Sequence, residues 1–373
     1  MQIIHGPRDA ILKPLQTVAG IIEKRHTQPI LANVLIRQQG EQVSFTGTDM
    51  EIQVRTQASV GAGDGQAATT VSARKLIDIL RAMPDADVGI ELNGTRLNLR
   101  SGKSRFALQT LPAEDFPVMK AGSQDAGTDE LRAEVSLPQK KLRHLLQMVH
   151  FAMAHQDIRF YLNGLLLVLG PSGMRAVATD GHRLAFCEDR EVHAAGEAQV
   201  ILPRKSVLEL MRLLGDNEEP ARLQIIGSQL RLGFGDIEFI SKLLEGNFPD
   251  YQRVIPKGYQ KQVVLDRALF GQALSRASIL SNEKFRGVRL GLAPGVLSIQ
   301  SSNTDQEEAS EELDIDYSGE ALDIGFNVSY LMDVLGNLKV QNVMVAFGNA
   351  SSSALLSLPD QDHFRYVLMP MRI

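Results

Sequence analysis

The stretch Val177–Phe186, VATDGHRLAF, decides how this chain is read. Asp180, His182 and Arg183 stand almost side by side in it. Such a cluster suits acid–base chemistry, with Asp180 orienting His182, or a polar turn between two strands. The surroundings separate these readings, because the stretch returns twice. Ser44–Ile52 reads SFTGTDMEI and Ile299–Ala309 reads IQSSNTDQEEA. In each, a strand-like run ends in Thr-Asp. The pairs begin at Thr48, Thr179 and Thr304, which are 131 and 125 residues apart.

A second feature keeps the same period. Leu76, Ile79, Leu80 and Met83 follow the spacing of a buried helix face. Val207, Leu210, Met211 and Leu214 repeat it, as do Leu331, Val334, Leu335 and Leu338. An earlier helix precedes each, clearest over Gln139–His155, where Leu142, Leu145, Leu146, Val149, Ala152 and Met153 share one face. Short alternating runs such as EQVSFTG, TRLNLRS, RFALQTL and VLSIQSS read as antiparallel strands. The chain is therefore expected to be α+β, with three similar domains of the order β-α-β-β-β-α-β-β-β. The expected boundaries are 1–125, 133–253 and 254–373, at the polar MKAGSQDAGTDEL and at RVIPKGYQK.

Charge is unevenly distributed. The six helical spans, Arg8–Arg25, Val71–Met83, Pro138–Gln156, Leu202–Leu214, Asp266–Ala277 and Phe326–Lys339, together carry +10. The formal net charge is −5, so the remainder carries −15. Basic helices on three repeats suit a surface that lies along a polyanion. With no Trp and no basic strand interleaved with aromatics, phosphate contact without base readout is expected. The 373 residues contain a single cysteine, Cys187, which excludes an internal disulfide and points to a reducing compartment. No secretory leader or membrane-spanning run is read, so a cytoplasmic, nucleoid-associated protein is expected.

No GxxxxGK[ST], HExxH or CxxC occurs, and neither metal nor cofactor is expected. The enzyme reading of Asp180 and His182 fails a simple comparison. Their counterparts read TDMEI and TDQEE, so what recurs is Thr-Asp, which a turn explains. His182 and Arg183 belong to the middle repeat alone and are better read as partner contacts. An open-ended DNA-binding repeat protein is the other rival; it would not close on itself. The C-terminal FRYVLMPMRI is unusually apolar for a terminus. Pro370 should stop the last strand, leaving an exposed apolar patch suited to docking.

Long runs give a specific resemblance: SRFALQTLP, MAHQDIRFYLNG, VATDGHRLA, PRKSVLELMRLL, FPDYQRVIP, ILSNEKFRGVRL, GFNVSYLMDVL and YVLMPMR. Over essentially its whole length the chain resembles the β subunit of bacterial DNA polymerase III, the sliding-clamp family. It departs at Gln252, where a basic residue is common, and at Ile373, where Leu is usual. The resemblance implies a non-catalytic processivity factor: a head-to-tail homodimer, six domains in a ring, helices inside and sheets outside, enclosing duplex DNA. It implies a peptide groove formed by Arg159, Leu162, Thr179, Gly181, His182, Arg183, Leu184, Pro249, Arg253, Val254, Asn327, Tyr330, Val367, Met369, Pro370, Met371 and Arg372. In that groove Leu184, Val254, Met369 and Met371 would form the floor, with Arg159, His182 and Arg183 at the rim. DNA contact maps onto Arg25, His155, Gln156 and Tyr161, with Arg74, Lys140, Lys141, Arg204 and Lys205 added as helix cations. The dimer interface maps onto Lys75, Arg96, Lys103, Arg105, Phe106 and Leu108, facing Ile279, Leu280, Glu307, Glu308 and Glu311. Implied partners are duplex DNA, a second copy, the replicative polymerase and the clamp loader. Translesion polymerases, mismatch-repair proteins and ligase are implied as well.

Overall fold

A computed structural model describes residues 1–23, 28–119 and 130–372. The first repeat runs β1 (Gln2–Pro7), α1 (Arg8–Ala19), β2 (Asn33–Gln39), β3 (Gln42–Thr48), β4 (Ile52–Ser59) and β5 (Gln66–Ser72). It ends with α2 (Ala73–Ala82), β6 (Asp87–Asn93), β7 (Arg96–Ser101) and β8 (Ser104–Leu111). The second runs β9 (Leu131–Pro138), α3 (Gln139–Val149), β10 (Gly164–Gly170), β11 (Gly173–Thr179), β12 (Arg183–Asp189), the two-residue β13 (Ala195–Gly196) and β14 (Ala198–Pro203). Then come α4 (Arg204–Leu213), β15 (Pro220–Ile226), β16 (Gln229–Phe234) and β17 (Ile237–Lys242). The third runs β18 (Lys261–Asp266), α5 (Arg267–Ala277), β19 (Gly287–Ala293), β20 (Val296–Ser302), β21 (Glu308–Asp314) and β22 (Leu322–Asn327). It closes with α6 (Val328–Asn337), β23 (Asn342–Phe347), β24 (Ala354–Leu358) and β25 (Gln361–Leu368).

The periodicity therefore places both helices of every repeat, but the strand count between them needs correction. An additional strand runs straight into each second helix: β5, β14 and β22. The first of these, QAATTVS, is small and polar, with no alternation of large apolar residues to mark it. The helix caps follow from sequence. Asp266 Oδ1 accepts from the N–H groups of Ala268 and Leu269, each at 2.9 Å, and Asn327 Oδ1 accepts from that of Ser329 at 2.9 Å. Four residues expected on the last helix face, Leu331, Val334, Leu335 and Leu338, are all buried.

The chain divides into two compact units. One holds residues 1–141, 194–198 and 208–243. Its antiparallel sheet has thirteen strands, in the order β1-β6-β7-β8-β5-β2-β3-β4-β17-β16-β15-β9-β13. The β4–β17 pair, from Ile52↔Ser241 to Thr56↔Ile237, makes it continuous from the first repeat to the second. The other unit holds residues 142–193, 199–207 and 244–373. It has an eight-stranded sheet, β14-β10-β11-β12-β25-β24-β23-β18, and a four-stranded sheet, β21-β20-β19-β22. Here β12 pairs with β25, from Arg183↔Leu368 to Cys187↔Phe364, and joins the second repeat to the third. The middle repeat thus gives strands to both units. Among the described residues no helix is long and apolar enough to cross a membrane.

Candidate functional site

The stretch that opened the reading is a hydrogen-bonded turn between β11 and β12. Asp180 Oδ1 accepts from the backbone N–H groups of His182 (2.9 Å) and Arg183 (3.0 Å). Thr179 Oγ1 accepts from Gly181 N–H at 3.1 Å and donates to Arg183 O at 2.6 Å. Asp49 and Thr48 repeat this scheme, with Asp49 Oδ1 accepting from Glu51 and Ile52 at 2.9 and 2.7 Å. The third repeat departs from the Thr-Asp pattern. Its capping group is Asn303, whose Oδ1 accepts from Asp305 and Glu307 at 3.0 Å each; Thr304-Asp305 lies within the turn. Gly181 has φ +90°, and a β-carbon there would meet the Arg159 guanidinium at 3.1 Å.

Arg183 differs from the sequence expectation. Its side chain is 10% exposed and turned inward, not set on a rim. Nε donates to Asp180 Oδ2 at 3.0 Å, Nη1 to Asp333 Oδ2 at 2.6 Å and Nη2 to Phe151 O at 2.7 Å. The guanidinium lies 4.4 Å from the centre of the Tyr330 ring. Burial opposes its charge, but Tyr366, Asp333 and Asp180 outweigh that and hold its pKa above the usual arginine value. The Tyr366 hydroxyl, buried and pushed upward for that reason, donates to Tyr330 O at 3.0 Å. Arg183 is thus a strut between β12 and α6 that fixes Tyr330.

Arg159 does stand exposed at the edge. Asp157 holds it by a fork: Nε–Oδ1 3.0 Å and Nη2–Oδ2 2.8 Å. Those bonds from Arg159 keep Asp157 at about 2, so the clamp persists down to about pH 4 and is lost as pH falls from there through 2. His182 is exposed and stacks on Tyr330, ring centres 6.5 Å apart. Below these groups lies an apolar cluster of Leu166, Val177, Leu184, Phe186, Ile201, Tyr251 and Val367, with Phe248 packed against it. Tyr251 stacks on Phe186 at 5.9 Å. Leu184 and Val367 are buried in this cluster, whereas Val254 (41%) and Met369 (48%) are substantially exposed. Pro249 and Arg372 are exposed, Pro370 and Met371 half-buried, and Arg253 pairs with Asp250 at 2.8 Å. Leu162 is buried in the short turn Phe160–Leu162, and Asn327 caps α6. The tail is more tied than its sequence implies. Met369 N–H donates to His182 O and Met371 N–H to Gly325 O, both at 2.9 Å. Ile373 lies outside the described residues.

The other site residues fall on separate surfaces. Arg74 and Lys75 are exposed on α2, Arg74 pairing with Asp78 at 3.7 Å. Lys140 pairs with Glu218, and Lys141 follows it on α3. Arg204 begins α4 and spends one guanidinium N–H on Met153 O at 3.2 Å; Lys205 is exposed beside it. His155 and Gln156 are exposed, and Tyr161 packs edge-on against Phe160. Arg25 lies outside the described residues. Strand β8 pairs with β7 along its length but with β5 only at Thr110 and Leu111. Its outer edge carries Arg105, Phe106 (39% exposed) and Leu108, with Lys103 and Arg96 beside it. Strand β21 ends its own sheet and carries Glu308 and Glu311. Ile279 (77% exposed) and half-buried Leu280 follow α5. Glu311 is already engaged, accepting two bonds from Arg276 at 2.9 and 2.5 Å, and Glu307 accepts from Asn303.

Sequence reasoning missed Asp157, Asp333, Tyr251 and Phe248, which hold the named residues in place. One signal was present: Phe248-Pro249 repeats Phe116-Pro117 at nearly the domain period. Cys187 has no nucleophilic role, because burial pushes its thiol up to about 12. Among the described residues no His, Cys, Asp or Glu cluster could hold a metal.

Comparison with known proteins agrees with this architecture. Family models for the N-terminal, central and C-terminal domains of the DNA polymerase III beta subunit match residues 3–120, 136–250 and 252–372. The beta sliding clamp of Pseudomonas putida is 48% identical over 370 residues, 98% of each chain. That of Escherichia coli K12 is 44% identical over 369 residues, again 98% of each. The crystal structure of the Pseudomonas aeruginosa DNA polymerase sliding clamp superposes with a TM-score of 0.95 at 44% identity, covering all of both chains. With three repeats matched in order across almost its whole length, the chain belongs to the DNA polymerase III β sliding clamp family, non-catalytic processivity factors of three-domain clamp fold.

Proposed function

We propose that the face bearing Leu184, Val367 and the Met369–Arg372 tail binds short extended peptides of the proteins it holds on DNA. The replicative polymerase and the clamp loader are the first of these; translesion polymerases, mismatch-repair proteins and ligase share the site. The observation that carries this reading is the joining of an apolar floor to a fixed polar edge. Leu184, Val367 and Tyr251 lie at the base, and Arg159, His182 and the backbone of the turn lie beside them. Floor and edge together are what a peptide with a few apolar anchors needs. Exposed Met369 adds an adaptable thioether that suits several partners. A labelled peptide carrying a Gln and apolar anchors is expected to bind with micromolar Kd, about −8 kcal/mol. Met369→Ala should weaken it by about tenfold, roughly 1.4 kcal/mol. An unchanged Kd would remove the tail from the site.

The same reading joins two copies head to tail into a ring around duplex DNA. Domains 1–125, 133–253 and 254–373 supply three of its six segments. Support comes from two strand edges of opposite charge. The edge of β8 is basic around Phe106, and that of β21 is acidic near Ile279. Unpaired edges are normally covered, and complementary edges of two copies cover each other. Helix cations Arg74, Lys140, Lys141, Arg204 and Lys205, with Arg25, His155, Gln156 and Tyr161, then meet phosphates without reading bases. The protein works in the cytoplasm at the nucleoid.

A further inference from the structure

We propose a second peptide-binding face, on the thirteen-stranded sheet, that takes an extended segment with acidic side chains. The sheet junction β4–β17 repeats the geometry of β12–β25. Lys242 N–H donates to Glu51 O at 2.9 Å, as Met369 N–H does to His182 O. Gln53 pairs with Ile240 where Leu184 pairs with Val367. Around these positions five members of the apolar set are replaced by polar or charged residues, while Leu35 and Ile240 stay apolar. Where one face has Val168, Val177, Leu184, Phe186 and Leu355, the other has Arg37, Thr46, Gln53, Arg55 and Arg231. The frame is kept, and three of the five replacements add a guanidinium.

The face forms a cavity of about 180 Å³. Three guanidinium groups line it, from Arg37, Arg55 and Arg231, against the single carboxylate of Glu238. Glu238 is shared, lying 3.9 Å from Arg55 and bonded to Arg231. Among the described residues that line it, two positive charges are left over in a concave site, which is the condition for attracting a carboxylate. Arg in particular presents a planar fork that matches a carboxylate. The space suits one or two side chains, not a folded domain.

The segment 116–119 lies against this face. Met119 N–H donates to Gln53 Oε1 at 2.8 Å, and Met119 O accepts from Gln53 Nε2 at 3.4 Å. The side-chain amide of Gln53 thus satisfies both backbone groups of Met119. Phe116, buried beside Leu35, anchors the segment. Val118 and Met119 border the cavity. The occupant is thus a partner segment of alternating acidic and small apolar residues, whose carboxylates reach Arg37, Arg55 and Arg231.

The test uses the full-length protein and a labelled peptide of alternating Glu and Val, blocked at both ends. Binding is read by anisotropy and by the methyl resonances of Met119 and Met369. The expected result is saturable, salt-sensitive binding that shifts Met119 and leaves Met369 in place. Replacing each Glu by Gln, or combining Arg37→Ala with Arg55→Ala, should weaken it by about tenfold or more. Both arginines are surface strand residues, so a matched thermal melt would show the double variant folded. Met369→Ala should leave this affinity unchanged, which separates the site from the apolar groove. Equal affinity in the arginine variant overturns the proposal. So does a shift at Met369, or tighter binding of a short DNA duplex at Met119.

Discussion

At the scale of single residues, Arg183 does the most. It binds two carboxylates and a carbonyl, and its guanidinium lies on Tyr330. Removing one partner of such a network leaves the others desolvated and unpaired. Arg183→Ala is therefore expected to cost about 3 kcal/mol, moderated because Asp333 is half exposed. Denaturant unfolding measures this; a loss below about 1 kcal/mol would mean the network is dispensable. His150 sets a pH dependence. Burial is the main cause that holds its pKa below the ordinary value, and its Nδ1 faces Gln147 O at 2.9 Å. The unfolded chain then binds the proton more readily than the folded one. Stability should be full above about pH 6.5 and decline as pH falls below it. A melting temperature flat between about pH 7.5 and about pH 5.5, or an unchanged slope in His150→Gln, would contradict this assignment.

At the scale of elements, helices and most strands were legible because burial imposes a period. Leu331, Val334, Leu335 and Leu338 had to share a face, and all are buried. The strand QAATTVS was not legible, because its partners β2 and β8 fix it through backbone bonds. The Thr-Asp repeat was legible as a turn in two places and misleading in the third, where Asn303 takes over the cap. Arg183 read as a surface contact because sequence shows a charge but not the distant Asp333 that neutralises it. The tail read as free, yet two backbone bonds tie it. Deleting Met369–Ile373 should therefore abolish peptide binding and also cost about 1–3 kcal/mol, from two bonds at about 0.5–1.5 kcal/mol each. A deletion that left both binding and unfolding untouched would remove the tail from the account.

At the scale of the whole molecule, the proposed ring depends on two edges. Ile279 and Leu280 are the apolar part of one of them, and Ile279 is largely exposed in the single chain. Burying each should contribute roughly 1.5–3 kcal/mol, whereas rim ion pairs add about 0–1 kcal/mol. Ile279→Ala combined with Leu280→Ala should sediment as a folded monomer at concentrations where the parent is a dimer. Tethering by enclosure needs no tight contact with DNA: it keeps the partner at high local concentration while leaving the protein free to slide. Retention should then depend on DNA topology and not on sequence. The most direct measurement loads the protein onto a closed circular duplex, removes unbound protein, and cuts the circle once. The account predicts stable retention on the circle and rapid loss from the ends once it is linear. Equal retention on circular and linear DNA, or loss from both at the same rate, would contradict enclosure.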